Sequence, residues 1–319
     1  MLIVLSELLR EDDLRMPLSQ RARDALINLS TAAYEGKHLL AGSRRIFENL
    51  QELGLDDEPS NRFKEATAYI ADAQTLRSKI PAYIHVQPIG QSPHVEIVST
   101  PSVTGQIVFN VPLDHFADSE QVGRSWLMAE HIHDADSYAA FGQAYAQRFR
   151  GFRCALRKAD GHGGATPHTF ESFAKQDMSV LCIVDSDRHD PTAKLGQTAT
   201  DALARQETVR ARGKVATVHV LPCRELENLL PAALVVEALP EDPKHPHRVK
   251  VLAQQHRLGK IDFDELKELV KLEQVSATLT RLPARECAKL CFSTHACAAL
   301  EEVSALVCSF GLASRRGRT

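Results

Sequence analysis

Between residues 125 and 230, short apolar runs alternate with segments of helical periodicity, and this alternation constrains the fold more than any other feature. The clearest run, Ser-Val-Leu-Cys-Ile-Val at 179–184, is apolar enough to lie buried on both faces of a sheet. Comparable runs occupy 125–130, 152–156 and 215–221. The segments with helical spacing that follow the first three strands are 135–149, 168–175 and 192–212, and a fourth helix begins over 225–230. Strand and helix therefore alternate four times, which predicts an α/β fold with a parallel sheet flanked by helices.

The regions on either side of this alternation have different patterns, so we divide the chain into three predicted domains. Residues 1–120 are predicted to be mainly helical, with one β-hairpin over 94–112. Residues 121–235 hold the predicted sheet. Residues 236–319 are again predicted to be mainly helical, and the two helices expected there are 262–279 and 284–310.

Composition narrows the classes of function and location. The formal net charge is −3, so nucleic-acid binding would need a local basic patch or a metal-bridged contact. No stretch of 18 apolar residues occurs, and we therefore expect no membrane span. The seven cysteines are odd in number and several lie in apolar runs, which favours buried thiols in a reduced, cytoplasmic protein.

Acidic residues stand where three of the four predicted strands end. Glu130 ends the first strand and Asp134 follows it by about one helical turn; Asp185 and Asp187 follow the third strand. Glu227 comes after the fourth strand, at the start of a predicted helix. Ligands of open α/β sheets bind beyond the carboxyl ends of the strands, so these side chains are expected to converge.

Crowded carboxylates repel one another unless a cation neutralises them, and carboxylate oxygens are preferred ligands of Mg²⁺ and Mn²⁺. Asp185 and Asp187 are two residues apart, and in an extended segment they would point to the same side. The pattern therefore predicts a site for one or two divalent cations. Two such cations about 3.5–4 Å apart are suited to phosphodiester hydrolysis.

A glycine-rich segment, Gly-His-Gly-Gly-Ala-Thr at 161–166, follows the second predicted strand. Gly163 and Gly164 would let backbone amides approach a phosphate without a Cβ in the way. The segment matches neither the dinucleotide-binding fingerprint nor a P-loop, and the chain contains no P-loop motif anywhere.

In this order the motifs resemble the Toprim domain, in the version found in OLD-family nucleases and related anti-phage effectors. The resemblance covers about a third of the chain, and the matching segments are 127–135, 160–166, 182–187 and 224–230. Two features depart from the family pattern. His131 replaces the usual glycine after the glutamate, and the ATPase half of OLD proteins is missing.

The resemblance implies specific roles for residues of this chain. Glu130 would be a metal ligand and possible general acid or base, Asp134 its helix-borne partner, and Asp185 and Asp187 the metal-binding pair. Glu227 would be a further acidic ligand. The downstream lysine of OLD nucleases would correspond to Lys260, in Leu-Gly-Lys-Ile-Asp at 258–262.

For the whole protein, the resemblance implies a Mg²⁺- or Mn²⁺-dependent hydrolase that cuts DNA or RNA in defence against phage. An ATPase or another defence subunit would then come from a separate chain. Two other functions stay open at this point. One is a degenerate Toprim module that acts as a binding or sensor subunit, and the other is a small-molecule phosphohydrolase.

Structural explanations also compete for the same residues. Asp185 and Asp187 would suit a turn after a strand, or the nucleophile motif of haloacid-dehalogenase phosphatases, although His189 occupies a position where that family has Thr or Val. His131 and His133 resemble a metal-ligand pair, but two histidines at a helix start are the simpler interpretation. Glu227 would also stabilise a helix N-terminus.

Overall fold

One hydrophobic core joins the N-terminal, middle and C-terminal parts of the chain. The computed structural model describes residues 1–6, 9, 18–100, 103–149, 151–190, 192–238, 272–292 and 298–314. A single cluster of buried side chains contains members from all three parts, among them Leu26, Phe109, Phe141, Leu181 and Phe310. The three predicted domains therefore differ in sequence pattern, but they share one hydrophobic core.

The N-terminal part forms a five-stranded sheet, whose strands are β1 (Leu2–Leu5), β2 (Leu39–Ala41), β3 (Ala82–Gln87), β4 (His94–Val98) and β5 (Gln106–Pro112). The strand order is β2-β1-β3-β5-β4, and every neighbouring pair is parallel except β4 and β5. That antiparallel pair is the predicted hairpin, which is confirmed. The helices of this part are α1 (Gln20–Tyr34), α2 (Arg44–Glu52), α3 (Asp57–Ala66) and α4 (Ile70–Arg77).

The prediction of a helical N-terminal region with one hairpin is incomplete, because it missed the three parallel strands β1, β2 and β3. The four residues of β1 are all buried, and β2 has only three residues, so neither shows the alternation that marks a half-exposed strand. Strand β3 lies between Pro81 and Pro88, which also break any helical pattern. Short strands that are buried on both faces therefore cannot be predicted from hydrophobic periodicity.

The middle part contains β6 (Trp126–Ala129), α5 (Ile132–Ala146), β7 (Phe152–Cys154), β8 (Arg157–Asp160), α6 (Thr166–Lys175), β9 (Val180–Val184), α7 (Gln197–Arg210) and β10 (Ala216–Val220). Four of these strands form a sheet in the order β10-β9-β6-β8, and all three pairs are parallel. The predicted α/β fold with a parallel sheet flanked by helices is confirmed. The strongest predicted strand is β9, and all five of its residues are buried.

The second strand of this sheet is misplaced in the sequence analysis. The predicted strand at 152–156 covers β7, which pairs antiparallel with β11 (Leu312–Ser314) outside the sheet. The sheet strand is β8, which lies at the edge and exposes Arg157 and Lys158. An edge strand with two exposed basic residues has no apolar run, so its sequence gave no strand signal.

The C-terminal helices within the described residues are α8 (Ala232–Ala238), α9 (Leu272–Arg281), α10 (Ala284–Cys291) and α11 (Ala298–Gly311). The last three pack against α5. The helix predicted over 284–310 corresponds to α10 and α11, with 293–297 outside the described residues. Cys287 and Cys291 are buried and free, in agreement with the expected buried thiols.

Gly142 sets the close approach of α5 and α11. A Cβ atom at position 142 would lie 2.5 Å from Val307 Cγ1 and 3.2 Å from Cys154 Sγ. Both distances are shorter than ordinary van der Waals contacts, so any larger residue forces the two helices apart. The C-terminal helix can therefore lie directly on the helix that follows β6.

We expect Gly142→Ala to destabilise the protein by about 1–3 kcal/mol, because overpacking outweighs the gain in helix propensity. The free energy of unfolding in urea measures this change. In a Val307→Ala background the same substitution should cost less, because the clashing methyl group is gone. Equal costs in both backgrounds would show that the two helices do not meet at Gly142.

Candidate functional site

Two acidic residues meet where the central strands β6 and β9 end. The parallel register places Ala129 opposite Ile183, so Glu130 and Asp185 follow neighbouring strand ends. The backbone N–H of Asp185 donates a hydrogen bond to Glu130 Oε1 at 3.1 Å. The expectation that acids far apart in the sequence lie together at this edge therefore holds for this pair.

A third strand end adds Asp160, which the sequence analysis missed. Strand β8 pairs with β6 so that Asp160 lies opposite Ala129. Asp160 Oδ1 accepts a hydrogen bond from the backbone N–H of His162 at 2.8 Å. The sequence signal for Asp160 is an acid directly before the glycine-rich segment. The predicted strand at 152–156, however, begins five residues before β8.

Asp134 lies in the first turn of α5 and is buried. Its Oδ2 accepts a hydrogen bond from the backbone N–H of His131 at 3.3 Å, which closes the start of the helix. Burial raises the pKa of Asp134, and the negative charge of Asp160 raises it further, while His131 lowers it. Asp134 therefore has a structural role at the helix start and also belongs to the group of acids.

Asp187 differs from the geometry expected of it. Strand β9 ends at Val184, and Asp187 has a left-handed backbone with φ of 56°, so Asp185 and Asp187 do not lie in one extended segment. The Asp187 side chain lies against Gly196, where a Cβ would come within 2.1 Å of Asp187 Oδ2. Its charge still raises the pKa of Glu130, so it remains within electrostatic range of the site.

Glu227 lies in a short 3₁₀ helix, Leu226–Leu229, where the sequence pattern predicted the start of an α-helix. Its side chain is 8% exposed. Together with Glu225 it raises the pKa of Asp185, which places both glutamates near the end of β9. The acids Glu130, Asp134, Asp160, Asp185, Asp187 and Glu227 are called the acidic edge below.

Asp185 has the most perturbed carboxyl group of the acidic edge. Burial raises its pKa to about 8, with further contributions from Glu130 and Asp134. Burial also raises the pKa values of Glu130 and of the phenol of Tyr138, which is fully buried within electrostatic range of these acids. Within the described residues, Glu130 and Asp185 form no ion pair with a lysine or arginine, and the charge of His131 lowers the pKa of Glu130 without cancelling the effect of burial.

The acidic edge has the donor chemistry for Mg²⁺ or Mn²⁺ without a completed set of ligands. Its side chains offer carboxylate oxygens, which suit these cations. Among the residues that the structure describes, however, no group of three or more His, Cys, Asp or Glu side chains is arranged to hold a metal ion. The residue types thus fit a hard divalent cation, whereas the side-chain positions do not form a preassembled cage.

The glycine-rich segment packs against the end of β6. The backbone N–H of Gly163 donates to the carbonyl oxygen of Glu130 at 2.9 Å, so this amide is already bonded. A Cβ on Gly161 would lie 2.6 Å from the carbonyl oxygen of Ala129. The close packing explains why position 161 is glycine, and the positive φ of 59° explains why position 163 is glycine. A Cβ on Gly164 would meet nothing within 4 Å, and its expected contact with phosphate stays a prediction.

Lys260, the expected downstream lysine, lies outside the described residues. Comparison of the chain with protein-family models, with curated proteins and with solved structures yields no match. The resemblance to the Toprim domain of OLD nucleases therefore rests on the motifs alone. No helix in the described part of the chain is both long and apolar enough to cross a bilayer.

The raised pKa of Asp185 predicts how stability depends on pH when divalent cations are chelated. Between about pH 4 and pH 8 the folded protein holds a proton that the unfolded chain has released, so the free energy of unfolding should fall as pH rises. Asp185→Asn removes this ionisation, and its stability should fall less steeply over the same range. Urea titrations in EDTA at several pH values measure both slopes, and identical slopes would contradict the assignment.

Proposed function

We propose that this chain is a nuclease that hydrolyses phosphodiester bonds in DNA or RNA with Mg²⁺ or Mn²⁺ as its cofactor. One observation carries the proposal: acids that follow three adjacent parallel strands share one edge of the sheet, with Glu130 and Asp185 in direct contact. Such crowding is unfavourable unless protons or a cation offset it. A divalent cation bound at this edge would also supply the Lewis-acid chemistry that phosphodiester hydrolysis needs.

In this proposal Glu130, Asp134, Asp185, Asp187 and Glu227 would hold the cation or cations. When bound, a divalent cation neutralises the acids and polarises phosphate oxygens. The backbone amide of Asp185 orients one oxygen of Glu130, which leaves the other carboxylate oxygen available. In the absence of a cation, Asp185 holds a proton near neutral pH because its pKa is about 8.

The biological setting follows from the motif resemblance. OLD-type Toprim motifs imply a role in defence against phage, with nucleic acid as the substrate. A separately encoded ATPase or another defence subunit is the partner that the resemblance suggests. We further propose that the protein acts in the cytoplasm, and that Lys260 supplies the downstream lysine of this family.

A second candidate function is a binding or sensor subunit built on a degenerate Toprim module. The observation that favours it is the absence, among the described residues, of a side-chain group already arranged around a metal ion. The two candidates differ in cation binding and in cleavage. A nuclease binds Mn²⁺ and cuts, whereas a degenerate module does neither and still binds its partner.

The nuclease proposal predicts metal-dependent cleavage of labelled DNA or RNA that stops in EDTA. Glu130→Gln and Asp185→Asn should each lower the cleavage rate by about 100-fold or more, equivalent to ~2.7 kcal/mol in the activation barrier. Both variants keep side-chain volume and remove only the negative charge. Single-turnover cleavage of single-stranded and double-stranded substrates with Mg²⁺ or Mn²⁺ measures the effect.

Asp72→Asn is the matched control, because it removes an exposed carboxylate on α4, outside the acidic edge. Its cleavage rate should equal that of the parent protein. Cleavage that persists in Glu130→Gln and Asp185→Asn would contradict the nuclease proposal. A complete lack of Mn²⁺ binding by calorimetry, together with no cleavage, would favour the binding subunit.

A further inference from the structure

A polar pocket lies at the opposite end of β6 from the acidic edge. It is a cavity of about 350 Å³, close to the lower size limit of small-molecule sites. Strand β6 begins at Trp126 and is followed by Glu130, so the two regions are about 13 Å apart along the strand. The Trp126 pocket, as we call it, has as its principal lining residues Lys37, Gln121, Arg124, Trp126, Arg157 and Gln176.

Positive charge dominates this pocket although the whole chain is acidic. Arg124 and Arg157 are exposed, and within the described residues neither forms an ion pair. Arg153 lies close enough to Arg124 for the two charges to interact, and burial together with that charge lowers the pKa of Arg153. Glu120 is the acid among the lining residues. A local excess of arginine without acidic partners is suited to an anion, and above all to phosphate.

Trp126 gives the pocket an aromatic surface. Its ring is held by an edge-on contact with Phe173 at 5.1 Å between ring centroids. The guanidinium of Arg157, its cross-strand neighbour, lies 5.4 Å from the Trp126 ring centre. Planar side chains of these two types are the ones on which nucleic-acid bases stack in single-strand-binding proteins.

We propose that the Trp126 pocket binds a nucleoside phosphate, either as a free nucleotide or as one nucleotide of a single strand. Arg124 and Arg157 contact the phosphate, and the base stacks beside Trp126. This site needs no metal ion and does not depend on the acidic edge. It therefore stands even if the chain has no nuclease activity.

Trp126 is the only tryptophan of the chain, so its emission reports on the pocket directly. The test titrates the full chain in EDTA with thymidine monophosphate and with oligodeoxythymidylate, and follows tryptophan fluorescence together with anisotropy of a labelled oligomer. EDTA excludes cation-mediated binding at the acidic edge. The variant Arg124→Ala/Arg157→Ala is compared with Arg21→Ala/Arg44→Ala, which removes the same charge from exposed positions on α1 and α2.

We expect a saturable change in emission and a dissociation constant that rises at least about tenfold in Arg124→Ala/Arg157→Ala but not in the control. Binding of the monophosphate identifies a free nucleotide, and binding of the oligomer alone identifies a strand. Thymidine without phosphate should not bind. An absence of any saturable signal, an equal loss in the control variant, or equal binding of oligoglutamate would overturn the proposal.

Discussion

The parallel pairing of β6 with β9 brings the central acids of the candidate site together. Its register places Glu130 beside Asp185, and the hydrogen bond from the Asp185 amide to Glu130 fixes the contact. The neighbouring strand β8 brings Asp160 to the same edge. Burial raises the pKa values of both Glu130 and Asp185, and the charge of Glu130 raises that of Asp185 further. This end of the sheet therefore favours the binding of protons or cations.

The same strand has contrasting chemistry at its two ends. Acids gather after Ala129, whereas Arg124 and Arg157, which form no ion pair within the described residues, line the pocket at Trp126. The net charge of −3 does not reveal this separation, because a sum of charges over the chain does not record where each charge lies. A charged polymer would meet a basic surface and an acidic edge on one sheet, about 13 Å apart along a single strand. Local charge, rather than total charge, is the relevant quantity for recognition.

Sequence patterns predicted those parts of the fold where apolar residues are continuous or alternate clearly. Strand β9 was recognisable because all five of its residues are apolar, and the β4–β5 hairpin because two such runs flank a turn. Strands β1 and β2 were too short to show a period, and the edge strand β8 carries exposed basic residues. Tertiary pairing, which single-sequence periodicity does not contain, decides these cases.

The site was predictable in outline for a related reason. Parallel strands bring their carboxyl ends to one edge, so the meeting of Glu130 with Asp185 followed from strand placement alone. Asp160 was missed because its strand was misplaced. The expected alignment of Asp185 with Asp187 failed because two-residue periodicity applies only to extended backbone, and Asp187 has a positive φ. Conformation immediately after a strand is set by the turn and its partners, here the carbonyl oxygen of Arg224.

The proposed nuclease activity requires a divalent cation shared by acids that follow different strands. Crystals of the full chain soaked in Mn²⁺ and measured near the manganese absorption edge test this directly. We predict an anomalous peak coordinated by Glu130 and Asp185 together, because the Glu130 carboxylate already accepts a hydrogen bond from the Asp185 backbone at the sheet edge. A well-diffracting, Mn²⁺-soaked crystal with no peak at that edge, or with manganese bound only elsewhere, would rule out a shared cation at Glu130 and Asp185.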